Sequence, residues 1–227
     1  MTQDQNFHHI MIASMNDMKQ SINLLQHKLE QIPLVQDNKG IDKSDVNLMH
    51  YEISRMQNSI AQLHNLYLLK NDELPLQLTE SYFIDVIEEQ VIAHDVLCKR
   101  MGVAIEIRGD NSVSGYVDDH LLSQVLDIAI VNAIRYTKDA IVITVGQSAD
   151  GITLTIDDNG LGYPEASLSR FVEVTKQQDL SGLTNQALAW YYCYLVASMH
   201  KNRAIKGWVS LSNKSELGGS RFEIFFP

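Results

Sequence analysis

The chain is short of several things at once. It has two cysteines in 227 residues, Cys98 and Cys193, far apart and in no metal-ligand spacing. That excludes a disulfide-stapled fold and a thiolate metal centre, and it points to a reducing cytoplasm. Prolines number four, which argues against a disordered or linker-like chain. Basic residues are in deficit, since 18 Lys and Arg face 28 Asp and Glu and leave a formal net charge of -10. A general nucleic-acid binder needs a basic face to displace condensed counterions, so that class is excluded. No apolar run reaches the roughly 20 residues of a membrane-spanning helix, and the opening MTQDQNFHH lacks the character of a signal peptide. The expectation is a cytoplasmic protein without a membrane span. What is present is 45% hydrophobic and 20% charged residues, the composition of an ordinary globular chain.

Periodicity divides the chain in two. Met11, Met15, Met18, Ile22, Leu25, Leu29 and Ile32 alternate steps of four and three until Pro33, which is a heptad seam on a helix. A second seam runs through Val46, Met49, Ile53, Met56, Ile60, Leu63 and Tyr67, after a connector whose Gly40 and Ser44 suit a loop and a helix cap. Residues 1–72 therefore read as an antiparallel helical hairpin. A lone hairpin buries one stripe per helix, which does not offset about 1–2 kcal/mol of backbone entropy per ordered residue. Pairing two copies into a four-helix bundle does, and predicts a homodimer. The alternative is a monomer in which these helices pack on their own C-terminal domain.

From residue 73 the pattern turns mixed, with Pro75 near the boundary. Residues 80–101 have helical periodicity, 103–109 alternate as a strand does, and 118–137 form a strongly apolar helix. Residues 140–158 read as a hairpin turning at Ala149, Asp150 and Gly151. A further apolar helix, QALAWYYCYLVASMH, carries an aromatic run suited to a core and precedes a final hairpin, GWVSLSNKSELGGSRFEIFFP. This order predicts an α+β chain whose C-terminal domain is an α/β sandwich, a mixed sheet covered by helices on one face.

Three stretches carry more than fold: VNAIRYT, DDNGLGYP and the closing ELGGSRFEIFFP. With them, the region from about residue 80 onward resembles the ATP-binding domain of sensor histidine kinases, the Bergerat fold shared with gyrase and MutL. The resemblance implies ATP and Mg²⁺ as cofactors. Asn132 takes the metal position, with Arg135 and Tyr136 beside the nucleotide. Asp158 would accept from the adenine amino group, while Gly160 and Gly162 let the chain turn under the base. A neutral Asn oxygen suits a hard cation that keeps most of its waters. The likeness extends through MIASMNDMKQSINLL and LMHYEISRMQNSIAQLHNLYLLK, so the hairpin corresponds to the dimerisation domain that carries the family's phosphoacceptor histidine. Asn16 stands where that histidine belongs, followed by Asp17 and Lys19.

The chain departs from the family's pattern at three places. An amide nitrogen, delocalised into its carbonyl, has no basic lone pair to attack a γ-phosphate, whereas imidazole does near neutral pH. The box that wraps the triphosphate, two glycines opening a helix, aligns with Ala187, Leu188, Ala189 and Trp190, so methyl groups stand where backbone should approach phosphate. An alternative register through SGLTN, residues 181–185, keeps one glycine. Ile128, one turn before Asn132, replaces a polar residue near the metal, and Asp127 lies about 100° around the helix. The expectation is a histidine-kinase-like two-component signalling protein without autokinase activity, a pseudokinase whose binding of ATP and Mg²⁺ is weak or absent. Its helical bundle would dock a response-regulator receiver domain through Asp17, Lys19 and the outward face around Asn16. The alternative is an active ATP-dependent kinase or phosphotransferase whose acceptor is His9, beside His8, or lies on another protein. His50, His64 and His120 are scattered and predict no metal site.

Overall fold

Strand and helix boundaries follow the side-chain periods closely through the second half of the chain. The computed structural model describes residues 73–177 and 185–227 throughout, and before them Ile22, Asn23, Leu25, Met49, Ile53, Met56, Ile60, Ala61 and residues 63–68, all helical. The chain divides into two compact units, one holding the described residues up to Leu74 with the start of the helix from Asn185, the other the remainder. In the first unit the seam residues Leu25, Met49, Met56 and Leu63 are half-buried and Leu66 is buried. Ile22, Ile53, Ile60 and Tyr67 are 43%, 43%, 54% and 48% exposed. Asn16, Asp17, Lys19, His8 and His9 lie outside the described residues, as does the SGLT of the alternative register.

The second unit runs β1 (Thr79–Tyr82), α1 (Phe83–Ala93), α2 (Asp95–Met101), β2 (Ala104–Arg108), β3 (Ser114–Val117), α3 (Asp119–Tyr136), β4 (Ala140–Gln147), β5 (Ile152–Asp158), α4 (Glu165–Gln177), α5 (Asn185–Met199, in this unit from Ala189), β6 (Lys201–Asn202), β7 (Ile205–Lys206), β8 (Trp208–Ser212) and β9 (Arg221–Phe226). Its main sheet has the order β2-β4-β5-β9-β8, with β2 and β4 parallel and the other pairs antiparallel. The expected mixed sheet is thus present. One face of it is apolar: Ile141, Ile143, Leu154, Ile156, Phe222 and Ile224 are all at most 2% exposed. Alternation places Thr144, Thr155, Glu223 and Arg221 on the other face, as period two requires.

Helices cover the apolar face with stripes at helical spacing. From α3 these are Leu122, Val125, Leu126, Ala129, Ile130, Ala133 and Ile134; from α1, Phe83, Ile84 and Ile87; from α5, Tyr192, Cys193, Val196 and Ala197. The aromatic run of α5 is core, as its composition predicts.

One expectation needs correction. The helical reading of 80–101 begins too early and is too continuous. Residues 79–82 form a strand paired with β3, with Thr79 opposite Val117, and the helix breaks at His94 before resuming as α2. The segment TESY alternates for too few residues to stand out from the helical run behind it. The stretch between Gly162 and Ala187 contains the 13-residue helix α4.

A buried polar joint fixes the start of α3. Asp118 caps the helix, its Oδ1 accepting from Leu121 N at 3.1 Å while Oδ2 accepts from Gln77 N at 2.9 Å. Its own N–H donates to His200 Nε2 at 3.1 Å, and His200 Nδ1 donates to the Val196 carbonyl at 2.8 Å. His200 is 3% exposed and must be the neutral Nδ1–H tautomer to make both bonds. Burial holds its pKa below the usual histidine value. The unfolded chain therefore binds the proton first, and the stability this residue contributes is complete above about pH 6.5 and lost as pH falls through its lower folded value. The variant His200→Gln is expected to cost about 1–3 kcal/mol near neutral pH and to flatten the acid side of the stability profile. Thermal melts between about pH 7.5 and about pH 5.5 check this, and an equal acid slope in both proteins contradicts it.

Candidate functional site

Two adjacent acids close β5, and period two sends them to opposite faces of the sheet. Asp157 points to the polar face, where Arg221 holds it with two parallel bonds of 2.8 and 2.9 Å. Asp158 sits opposite Ile141 in the register and so lies on the apolar face, 3% exposed. A carboxylate there survives only if its oxygens are met by donors. Oδ1 accepts from Gly160 N at 2.7 Å and Ser220 N at 3.1 Å, and Oδ2 accepts from the Ser220 hydroxyl. The Asp158 backbone is tied as well, its carbonyl accepting from Gly219 N at 3.0 Å and Ser215 Oγ at 2.8 Å. Asp158 thus gathers the turn after β5 and the loop before β9 around one carboxylate.

That gathering leaves no room for side chains on the backbone nearby. A Cβ at Gly160 would fall 2.1 Å from the Tyr136 carbonyl oxygen, so the turn can rest on the end of α3 only as glycine. Gly162 has φ of 82°, which L side chains rarely adopt, and a Cβ there would meet Asn213. A Cβ at Gly219 would lie 2.4 Å from Asp158 Oδ1. The structure thus brings Asp158, Gly160, Gly162 and the Tyr136 backbone together.

Asn159, between the two expected positions, has its own structural duty. Its Oδ1 accepts from Thr137 Oγ1 at 2.7 Å and from the N–H groups of Lys138, Asp139 and Ala140 at 3.1, 3.2 and 3.3 Å. Its Nδ2 donates to Asp139 Oδ1 at 2.7 Å. One side chain thereby closes the loop from α3 to β4 and fixes where α3 ends.

On α3, Asn132 is half-buried and its Nδ2 donates to the Ile128 carbonyl at 2.8 Å, one turn back. Ile128 itself is 5% exposed and belongs to the core. Asp127 lies 3.0 Å from His94 Nε2, an ion-pair distance without the direction of a hydrogen bond. Arg135 and Tyr136 are exposed at the end of the helix. Ala187 and Ala189 lie in the first turns of α5, both half-buried. Among the described residues no group of three or more His, Cys, Asp or Glu could hold a metal ion, and no helix is long and apolar enough to cross a membrane.

The donor set matches one half of a nucleotide better than the other. A buried, preorganised carboxylate suits an exocyclic amine. At the aligned phosphate positions the chain offers alanines, and at the position before Asn132 it offers a core isoleucine. Asn132 would be the metal's protein ligand, a single neutral oxygen. Ser220, Gly219, Asn159 and Asn213 were not among the expected site residues, because they act on backbone or on Asp158 and carry no pattern of their own. The one visible signal was GGS before the last strand.

The packing around Asp158 makes two substitutions unequal. Gly219→Ala is expected to cost about 2–4 kcal/mol, since backbone must move to admit the methyl group. Ser220→Ala, which removes one hydroxyl donor, is expected to cost about 1–2 kcal/mol. Denaturant unfolding of both variants measures the order, and a Ser220→Ala loss exceeding that of Gly219→Ala contradicts it.

Residues 117–227 match the family described as histidine kinase-, DNA gyrase B- and HSP90-like ATPase. Among solved structures, the Acinetobacter baumannii histidine kinase AdeS is 21% identical with a TM-score of 0.62, over 92% of this chain and 95% of that one. The histidine kinase ThkA in complex with the response regulator protein TrrA is 17% identical with a TM-score of 0.58, over 93% of this chain and 59% of that one. The cytoplasmic segment of histidine kinase QseC is 17% identical with a TM-score of 0.53, over 75% and 94% of the two chains. At these identities the likeness to the solved kinases is one of fold. No curated protein sequence matches the chain. Residues 117–227, just under half of the chain, thus form a histidine kinase-, DNA gyrase B- and HSP90-like ATPase domain.

Proposed function

We propose that the protein is a histidine-kinase-like two-component signalling module that does not phosphorylate itself. It acts as a homodimer, docks a response-regulator receiver domain on its helical bundle, and binds ATP and Mg²⁺ weakly or not at all. The observation that carries this reading is a carboxamide, Asn16, at the acceptor position of a chain whose C-terminal domain belongs to the ATPase family. The family's chemistry needs a nucleophile there, and Asn16 has no basic lone pair to supply one. Asp17 could take up a proton, but it has no nucleophile to activate.

Four seam residues support the dimer. Ile22, Ile53, Ile60 and Tyr67 are exposed in the single chain although their spacing is that of a buried seam, and a second copy would cover them. The solved complex of ThkA with a response regulator supports the choice of partner, because its fold matches 93% of this chain. Docking would use Asp17, Lys19 and the outward face around Asn16.

The second reading is an active kinase or phosphotransferase with another acceptor, such as His9. The intact setting of Asp158 favours it, because the carboxylate that the resemblance assigns to the base is retained although the acceptor is not.

Incubation with radiolabelled ATP and Mg²⁺ separates the two. The first reading expects no label on the purified protein, and it expects Asn16→His alone to remain unlabelled, because the phosphate cradle is altered too. Label on the unmodified chain that survives base and is lost in acid would establish phosphohistidine and the second reading. Light scattering tests the assembly, with twice the monomer mass expected.

A further inference from the structure

The carboxylate that a purine amine would seek already has a neighbour from its own chain. Tyr163 follows Gly162 directly in the turn after β5. Asn213, just past β8, clamps its backbone: Asn213 Oδ1 accepts from Tyr163 N at 2.6 Å and Nδ2 donates to the Tyr163 carbonyl at 2.9 Å. With Gly162 at positive φ, this clamp sets the direction in which the tyrosine leaves the chain. The ring meets Trp190 edge-on, centroids 6.0 Å apart and planes at 85°, and Trp190 stacks on Phe222 at 5.2 Å. Trp190 is 3% exposed and Phe222 is 2% exposed, so Tyr163 is held against a rigid aromatic wall.

The ring projects from this clamp toward the side of the sheet that carries Asp158 and Ser220, and burial, with Asp158 in electrostatic reach and only partly offset by Ser220, pushes the phenol pKa up so that it stays protonated. Ser220 has one hydroxyl proton and gives it to Asp158.

We propose that Tyr163 is an internal plug of the base pocket. Its phenol occupies the place beside Asp158 and Ser220 that the amine edge of an adenine would need, and a nucleoside enters only when the ring swings out. The inference rests on the reading of Asp158 as the base-binding acid. It adds a cause of weak binding that is independent of Ala187 and Ala189, because those positions face phosphate and the plug faces the base.

Adenosine, which carries no phosphate, is therefore the probe. Titrated into the full-length protein, it is followed by NMR on the indole N–H of Trp190, assigned by comparison with Trp208→Phe. In the unmodified chain the signal is expected to stay in place to the limit of adenosine solubility. Tyr163→Leu, apolar and too short to reach Ser220, is expected to shift it saturably, with affinity at least ~10-fold tighter. Tyr163→Met serves the same purpose with a more adaptable side chain should leucine fail to fold. Adding Asp158→Asn to the leucine variant is expected to abolish the gain. Equal adenosine affinity before and after shortening Tyr163 overturns the proposal, as does a gain that survives Asp158→Asn. Neither result depends on whether the protein can be phosphorylated, so this inference and the signalling reading stand or fall separately.

Discussion

A single carboxylate buried on the wrong face of a strand organises the C-terminal domain. Asp158 occupies a position that alternation reserves for apolar residues, and the low-polarity surroundings make its charge costly unless every oxygen is met. The chain meets it with two backbone N–H groups and one hydroxyl. Those donors come from two loops far apart in sequence, so satisfying the charge and bringing the loops together are one event. Three glycines follow as a consequence. Each marks a place where backbone must come within a side chain's radius of Asp158, of α3 or of Asn213. The site is therefore preorganised as part of the fold's own stability.

The same constraint explains what could be read in the sequence and what could not. The sheet, α3 and α5 were legible because their periods are long and clean: the alternation of AIVITV and ITLTID, and the apolar stripe of 118–137. Asp158, Gly160 and Gly162 were legible because acid and glycines stand within five residues. β1 was lost because TESY is four residues long and runs straight into a helix. The break at His94 was lost because no Gly or Pro announces it; the helix stops at an ordinary residue with φ -97° and ψ 4°. Ser220, Asn159 and Asn213 were lost for a different reason. Each binds groups 19 to 62 positions away, and such partners have no spacing to detect.

Tyr163 shows how a residue can be quoted in a motif and still be missed. In DDNGLGYP it reads as filler between a glycine and a proline. Its role depends on Asn213 holding its backbone and on Trp190 and Phe222 forming a wall, and these come from α5 and from the final hairpin. Trp190, at the end of the segment aligned with the phosphate box, is core as its aromatic run suggests, and its ring contacts Tyr163 and Phe222.

Around Asn132 the helix has committed the neighbouring positions to other work. Ile128 faces the core and Asp127 approaches His94, so neither presents a charged oxygen beside Asn132. Mg²⁺ is strongly hydrated and is held at nucleotide sites by carboxylates and by the phosphates themselves. A site with one neutral amide must borrow most of its affinity for the metal from the triphosphate. If the triphosphate is poorly cradled, metal and nucleotide lose binding together, since each supplies the other's ligands. If Ala187 and Ala189 face phosphate as the resemblance implies, apolar residues on α3 and α5 would weaken that half without disturbing Asp158, because the carboxylate is retained by the fold whether or not a base ever reaches it.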